Sequence, residues 1–171
     1  MNVKRMTRLA MLTTIALIIF IIELRIPNLV PIQGVKLGLA NIVIVYAMYH
    51  CTARETFLIV IARIFLGSIF GGNISAMIYS LTGAVFCLTG MLILRRIIDE
   101  NHIWICSIIG AILHNTGQII VAVIITKTIA VLADFPILIV SGCIAGAFTG
   151  VCTQILIKRC NFSDTAHQKF I

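Results

Sequence analysis

The chain alternates between long apolar runs and short polar breaks. Six runs have a composition typical of membrane spans, for which roughly 20 apolar residues cross the hydrocarbon core. The second and third runs are short, and the polar turn between them, His50–Glu55, favours a hairpin of two spans. We therefore predict an all-α integral membrane protein, a bundle of about six transmembrane helices. The predicted spans are Leu9–Ile26, Val35–Tyr49, Thr56–Phe70, Ile74–Leu94, Ile103–Thr126 and Phe135–Ile157.

The composition supports a membrane location. Of the 171 residues, 60% are hydrophobic and 11% are charged, and the mean hydropathy is +1.11. A soluble domain of this size needs a more polar surface. We expect one transmembrane domain over residues 1–160 and a polar cytoplasmic tail over residues 161–171. The first run lacks a small-residue cleavage site before its polar loop, so we expect a retained span.

The basic residues predict the orientation. With six spans both termini lie on the same side, and a cytoplasmic placement puts nine basic residues inside and three outside. This is the bias of the positive-inside rule. We predict a multi-pass protein of the cell membrane with both termini in the cytoplasm. The net charge of +7 then reflects topology and contact with anionic lipid, and it does not indicate nucleic-acid binding. The nine residues are Lys4, Arg5, Arg8, Arg54, Arg95, Arg96, Lys158, Arg159 and Lys169.

Several catalytic motifs are missing from the sequence. It has no GxxxxGK[ST] loop, which ATP hydrolysis by a P-loop requires. Its six acids form no DDxxD-like cluster for magnesium-diphosphate chemistry. Its six cysteines form no CxxC pair and no Cys/His ligand spacing. We predict a non-catalytic chain with no metal and no cofactor.

The fifth run carries three polar residues, His114, Asn115 and Gln118. At 100° per residue, His114 and Gln118 share a helical face with Ser107 and small residues, and Asn115 lies at the edge of that face. Two interpretations are open. The polar groups form hydrogen bonds to neighbouring helices, or they bind a ligand or ion inside the membrane.

Arg63 lies halfway along the third run. A guanidinium at that depth costs roughly 3 kcal/mol on insertion scales, so it needs an acceptor. No acid within a span is expected at the same depth, because Glu23 is nearer the outer end of its helix. Ligand contact, a structural hydrogen bond to another helix and snorkelling toward the cytoplasm all remain open for Arg63.

Two polar segments are candidates for an outer mouth. Pro27–Gly34 is a proline-stiffened loop that leads to Lys36 at the entrance and to Asn41 deeper in the bundle. The turn Phe70–Asn73 ends in Asn73, a suitable N-cap for the fourth helix. Lys36, Asn41 and Asn73 therefore join the candidate substrate-binding residues.

The sixth run contains glycine at every fourth position, in Gly142, Gly146 and Gly150. Such spacing lets two helix backbones approach closely. The stripe is predicted to pack within the bundle or against a partner protein.

Four sequence runs carry a family resemblance, namely PNLVPIQGVKLGLANIVIVYAM, ARIFLGSIFGG, SLTGA and GAILHNTGQ. They resemble the Gx transporter family, which is also labelled heptaprenyl diphosphate synthase component I. That family is similar to the S components of energy-coupling-factor transporters. The resemblance covers about Leu9 to Lys158. S components usually show an AxxxA-like face on the first helix, where this chain has Ala10-xxx-Thr14.

The resemblance implies two functions. The first is a substrate-binding subunit or transporter for a small solute, which relies on separate coupling and ATPase subunits. The second is a non-catalytic membrane component beside a prenyl synthase subunit in isoprenoid or menaquinone biosynthesis. The expected partners are the lipid bilayer, a small-molecule substrate and one of these two kinds of subunit. Nucleic acid is not an expected partner.

Overall fold

The structure is a computed structural model that describes residues 3–26, 38–72, 74–99 and 102–168, with side chains up to residue 160. Within these residues it contains six α-helices and no strand. A 3-10 turn, Ile129–Asp134, precedes the last helix. The helices are α1 (Val3–Arg25), α2 (Leu39–His50), α3 (Ala53–Phe70), α4 (Ser75–Leu94), α5 (Ile103–Thr126) and α6 (Phe135–Gln168).

The helix bounds confirm the predicted all-α membrane bundle. Four helical segments are long and apolar enough to cross a membrane: α1, α4, α5 and Ile129–Cys160. Helix α2 is shorter, and α3 carries three charged residues, so these are the weaker spans that the sequence predicts. Helix α6 continues to Gln168, beyond the predicted end at Ile157, so the first part of the predicted tail is helical.

Local sequence signals set the start of two helices. Thr52 caps α3 in a capping box with Glu55, which satisfies backbone N–H groups at the helix start. Gly38 precedes α2 with φ 71° and ψ 24°, in the left-handed region that favours glycine. The predicted N-cap Asn73 and the loop residue Lys36 lie outside the described residues.

The six helices pack as a closed ring. Helix α5 lies between α4 and α6, and α1 packs on α2 and α3. Contacts of α2 with α6 and of α3 with α4 join these two halves. Buried apolar side chains fill the interior, whereas large apolar side chains such as Ile18, Phe65, Val85, Ile124 and Phe148 are exposed on the outside. An apolar exterior of this kind is suited to lipid contact.

Glycines set the closest helix approaches. A Cβ on Gly117 would lie 3.0 Å from the Cα of Gly83, so α4 and α5 cross backbone to backbone. On the other side of α5, a Cβ on Gly146 would lie 2.8 Å from the Cα of Ile108, and one on Gly150 would lie 2.5 Å from the Cα of Trp104. Helix α5 is therefore held tightly on both sides.

Candidate functional site

A polar network lies inside the first half of the bundle. The carboxylate of Glu23, on α1, accepts a hydrogen bond from the backbone N–H of Gly38. Three residues later, Asn41 of α2 accepts a hydrogen bond from Arg63 Nη1 over 3.1 Å. Glu23 is only 7% exposed. We call Glu23, Gly38, Asn41 and Arg63 the interior network.

Arg63 is surrounded by groups that suit a cation. Its guanidinium lies 5.1 Å from the centre of the Phe20 ring, a cation–π contact. Gly67 makes room for that ring, because a Cβ there would lie 2.7 Å from Phe20 Cε1. The Glu23 carboxylate and the Cys87 thiol of α4 are within electrostatic range.

The prediction that no acid within a span lies at the depth of Arg63 stays a prediction. Glu23 of α1 nevertheless interacts favourably with the Arg63 guanidinium through electrostatics. The physical reason is that α1 packs directly on α3 and that both side chains are long. The sequence did contain a signal, since Glu23 is the only acid in the first apolar run.

A second polar pair adjoins the network. Ser107 of α5 and Thr149 of α6 form a hydrogen bond of 3.0 Å, and both are buried. A Cβ on Gly38 would lie 3.9 Å from Thr149 Cγ2, so this pair is next to the start of α2. Polar side chains from α1, α2, α3, α5 and α6 thus line one region of the interior. Sequence reasoning did not single out Thr149.

The three polar residues of the fifth run face two different neighbours. Asn115 is 8% exposed, and its Nδ2 donates to the Leu138 carbonyl of α6 over 2.6 Å. His114 and Gln118 instead lie against Gly83 of α4, where a Cβ would be 2.9 Å from His114 Cε1 and 3.0 Å from Gln118 Cγ. Asn115 therefore forms an interhelical hydrogen bond, while His114 and Gln118 line the α4–α5 contact.

The glycine stripe of α6 faces α5. A Cβ on Gly142 would lie 2.7 Å from Asn115 Nδ2, and one on Gly146 would lie 3.0 Å from the Cβ of Ala111. Gly150 lies against Trp104 in the same way. All three glycines contact α5 inside the bundle. They are therefore not exposed as a docking surface for a partner protein.

Among the described residues, no group of three or more His, Cys, Asp or Glu side chains could hold a metal ion. All six cysteines are free thiols. The chemistry available in the interior network is therefore hydrogen bonding and charge, carried by a guanidinium, a carboxylate and an amide.

The helical ring and its buried polar network define an all-α membrane protein. The chain belongs to the heptaprenyl diphosphate synthase component I family, whose model matches residues 12–156. Comparisons with curated proteins and with solved structures gave no match. The family label implied by the sequence runs is thus confirmed, and the similarity to S components stays a prediction.

Proposed function

We propose that the chain is a membrane-embedded substrate-binding subunit or transporter for a small solute that carries a carboxylate or carbonyl group. The observation that carries this proposal is Arg63 in the interior network. A guanidinium has five N–H donors, and one of them donates to Asn41. A solute oxygen is a suitable acceptor for the others, and fixed donors of this kind are typical of solute pockets.

The route to Arg63 leads past the start of α2. Gly38 at the start of α2 donates to Glu23 of α1, so this end of α2 belongs to the interior network. A solute that enters past the start of α2 meets Asn41 and Arg63 first. Lys36 adds positive charge that favours an anionic solute.

The wall of the proposed pocket continues toward α5. Cys87 is within electrostatic range of Arg63 and its sulfur would lie 3.3 Å from a Cβ on Gly110. His114 is one helical turn further along α5 and Gln118 one turn beyond that. These two side chains are the proposed second set of hydrogen-bonding groups. Asn115 is assigned to helix packing, because its amide already donates to Leu138.

Native mass spectrometry of the protein purified from its own membranes tests this function. The wild type should retain a small molecule, and Arg63→Gln should lose it while circular dichroism shows an intact helical fold. Arg54→Gln is the matched control, because it removes the same charge from an exposed site at the start of α3. Equal retention by folded Arg63→Gln and by the control would exclude Arg63 from the binding site.

A second candidate function is favoured by the family match. The family name implies a prenyl synthase partner subunit, and the chain would then be a non-catalytic membrane component of that complex. Affinity purification from native membranes separates the two functions. A co-purified coupling ATPase supports transport, whereas a co-purified prenyl synthase subunit supports the accessory function.

The orientation is part of the proposal. We expect a cell-membrane protein with both termini in the cytoplasm, as the positive-inside rule predicts. Cys160, which is exposed near the end of α6, offers a test. In a variant that keeps only this cysteine, a membrane-impermeant maleimide should label Cys160 in opened cells and leave it unlabelled in intact cells.

A further inference from the structure

A cleft of about 270 Å³ lies at one end of the bundle, away from the interior network. It is formed where α1 and α3 begin and where α2 and α4 end. Its charged and ionisable lining comes from separate segments of the chain. We call it the arginine cleft and define it by Arg5, Arg8, His50, Glu55 and Arg95.

The arginine cleft has an excess of positive charge. Three arginines and one carboxylate line it, and three minus one gives a net charge of +2 with His50 neutral. Arg5 Nε and Glu55 Oε1 form an ion pair of 3.3 Å. Arg8 and Arg95 therefore supply the excess charge.

The carboxylate of Glu55 is already engaged. Its Oε2 accepts hydrogen bonds from the backbone N–H and the Oγ1 of Thr52, both over 2.8 Å, and its Oε1 pairs with Arg5. The hydrogen bonds from Thr52 lower the pKa of Glu55, so its charge is held within the capping box. Glu55 thus caps the start of α3 and pairs with Arg5. Arg8 and Arg95 are not neutralised by it, and they can bind another anion.

Arg95 is held in position by α2. Its Nη1 donates to the backbone carbonyl of Met48, and its guanidinium lies 5.7 Å from the centre of the Tyr49 ring. His50 is fixed in a similar way, because its ring stacks on Tyr46 at 4.3 Å with an interplanar angle of 11°. Groups fixed before binding lose less entropy when a ligand arrives.

The floor of the cleft is apolar and adds no opposing charge. Leu9 and Cys51 are both buried there. Burial raises the pKa of the Cys51 thiol, which keeps it neutral. Arg5 and Arg8 are exposed at the rim, so the cleft is open to a ligand from outside the bundle.

We propose that the arginine cleft binds a phosphate-bearing anion. Guanidinium groups recognise phosphate oxygens by paired, charge-assisted hydrogen bonds. A phosphate group carries negative charge and several acceptor oxygens, which the net charge of +2 and the two guanidinium groups of Arg8 and Arg95 complement. The volume is near the lower limit of ligand pockets, which start at about 300 Å³, and this suits a phosphate group.

The position of the cleft agrees with this ligand chemistry. The ends of membrane-spanning helices lie at the level of the lipid headgroups. A phosphate group at that level comes from a phospholipid or from a soluble phosphate compound. The site is independent of the proposed solute function, since it shares no residue with the interior network.

Two binding measurements distinguish a soluble phosphate compound from a phospholipid headgroup. In the first, inorganic diphosphate is titrated into the full chain in a neutral detergent and followed by isothermal titration calorimetry. In the second, native mass spectrometry reads the lipids that the chain retains from nanodiscs of mixed phosphatidylglycerol and phosphatidylcholine. Each is repeated with Arg8→Gln, Arg95→Gln and the control Arg96→Gln, which removes the same charge from an exposed residue next to Arg95.

The expected result is a loss of about tenfold or more in affinity or in retained phosphatidylglycerol for Arg8→Gln and Arg95→Gln, the size of one lost hydrogen bond between charged groups. The control should bind as the wild type does. A loss in the first measurement identifies a soluble phosphate, and a loss in the second identifies a lipid headgroup. Because Arg8 is exposed, its variant should fold even where Arg95→Gln does not. Binding that is absent from both measurements, or that falls equally in Arg8→Gln and Arg96→Gln, overturns the proposal.

Discussion

Arg63 donates a hydrogen bond to the side-chain oxygen of Asn41 over 3.1 Å, and this bond joins the middle of α3 to the first turn of α2. The pair places a cation and a neutral acceptor together in the bundle interior. A buried charge that loses its partner is strongly unfavourable, because the charge cannot regain water. The contact therefore bears on the stability of the bundle as well as on the proposed solute site.

Asn41→Ala should lower the free energy of unfolding by about 1–3 kcal/mol, since it leaves a charged donor without its acceptor. A double-mutant cycle with Arg63→Met should show a coupling of about 0.5–3 kcal/mol. Unfolding in detergent, followed by circular dichroism, measures both. Thr116→Ala is the control partner for Arg63→Met, because Thr116 bonds within its own helix, to Ile112. Additivity in the Asn41 cycle would contradict the assigned bond.

Phe20→Leu should destabilise the protein by about 0.5–2 kcal/mol beyond the loss of apolar area, because it removes the cation–π contact with Arg63. Phe65→Leu is the matched control, since Phe65 lies on the same helix as Arg63 and is exposed on the outside of the bundle. Gly67→Ala should act in the same direction as Phe20→Leu by displacing the Phe20 ring. The midpoint of thermal unfolding ranks the three variants, and equal values for Phe20→Leu and Phe65→Leu would argue against the contact.

Gly83→Ala should cost about 1–3 kcal/mol, the range for overpacking in a close-packed interior. Its new Cβ would lie 2.8 Å from the His114 carbonyl oxygen, and backbone cannot move aside cheaply. Gly90→Ala is the control on the same helix, where the nearest atom is the end of the flexible Leu113 side chain. The order of stability in detergent should be wild type, Gly90→Ala, then Gly83→Ala. A reversed order would mean that α4 and α5 do not cross at Gly83.

The capping box predicts a dependence of stability on pH. The pKa of Glu55, which precedes the apolar part of α3, is lowered in the folded state by hydrogen bonds from Thr52. A lowered folded pKa adds stability above the unfolded pKa, and that stability is lost as the pH falls through the folded value. Unfolding measured between neutral and acidic pH should therefore decline less steeply for Glu55→Gln than for the wild type. An equally steep decline in Glu55→Gln would contradict this role of the capping box.

The helices themselves could be predicted from the sequence. Each of the six apolar runs predicted one helix, and the fifth predicted span has the same first and last residues as α5. The largest difference is at α6, which continues through polar residues to Gln168. Loss of hydrophobicity marks where a span leaves the membrane, but it does not mark where helical hydrogen bonding stops.

The candidate site was predictable only in part. The sequence showed that Arg63 needed an acceptor and placed Asn41 deeper in the bundle than Lys36, yet nothing in it paired Asn41 with Arg63. It also grouped Asn115 with His114 and Gln118. The structure separates them, because side chains on one face of α5 contact α6 on one side and α4 on the other.

The sequence by itself determined that this chain is a membrane protein, since a mostly apolar surface is unfavourable in water and favourable in a bilayer. It also determined which residues are too polar for lipid and must turn inward. Only the tertiary structure decided their partners: Asn41, Glu23 and Phe20 around Arg63, and four helix ends around the arginine cleft. These contacts join residues far apart in the chain, so they depend on how the helices pack, which the periodicity of a single helix does not specify.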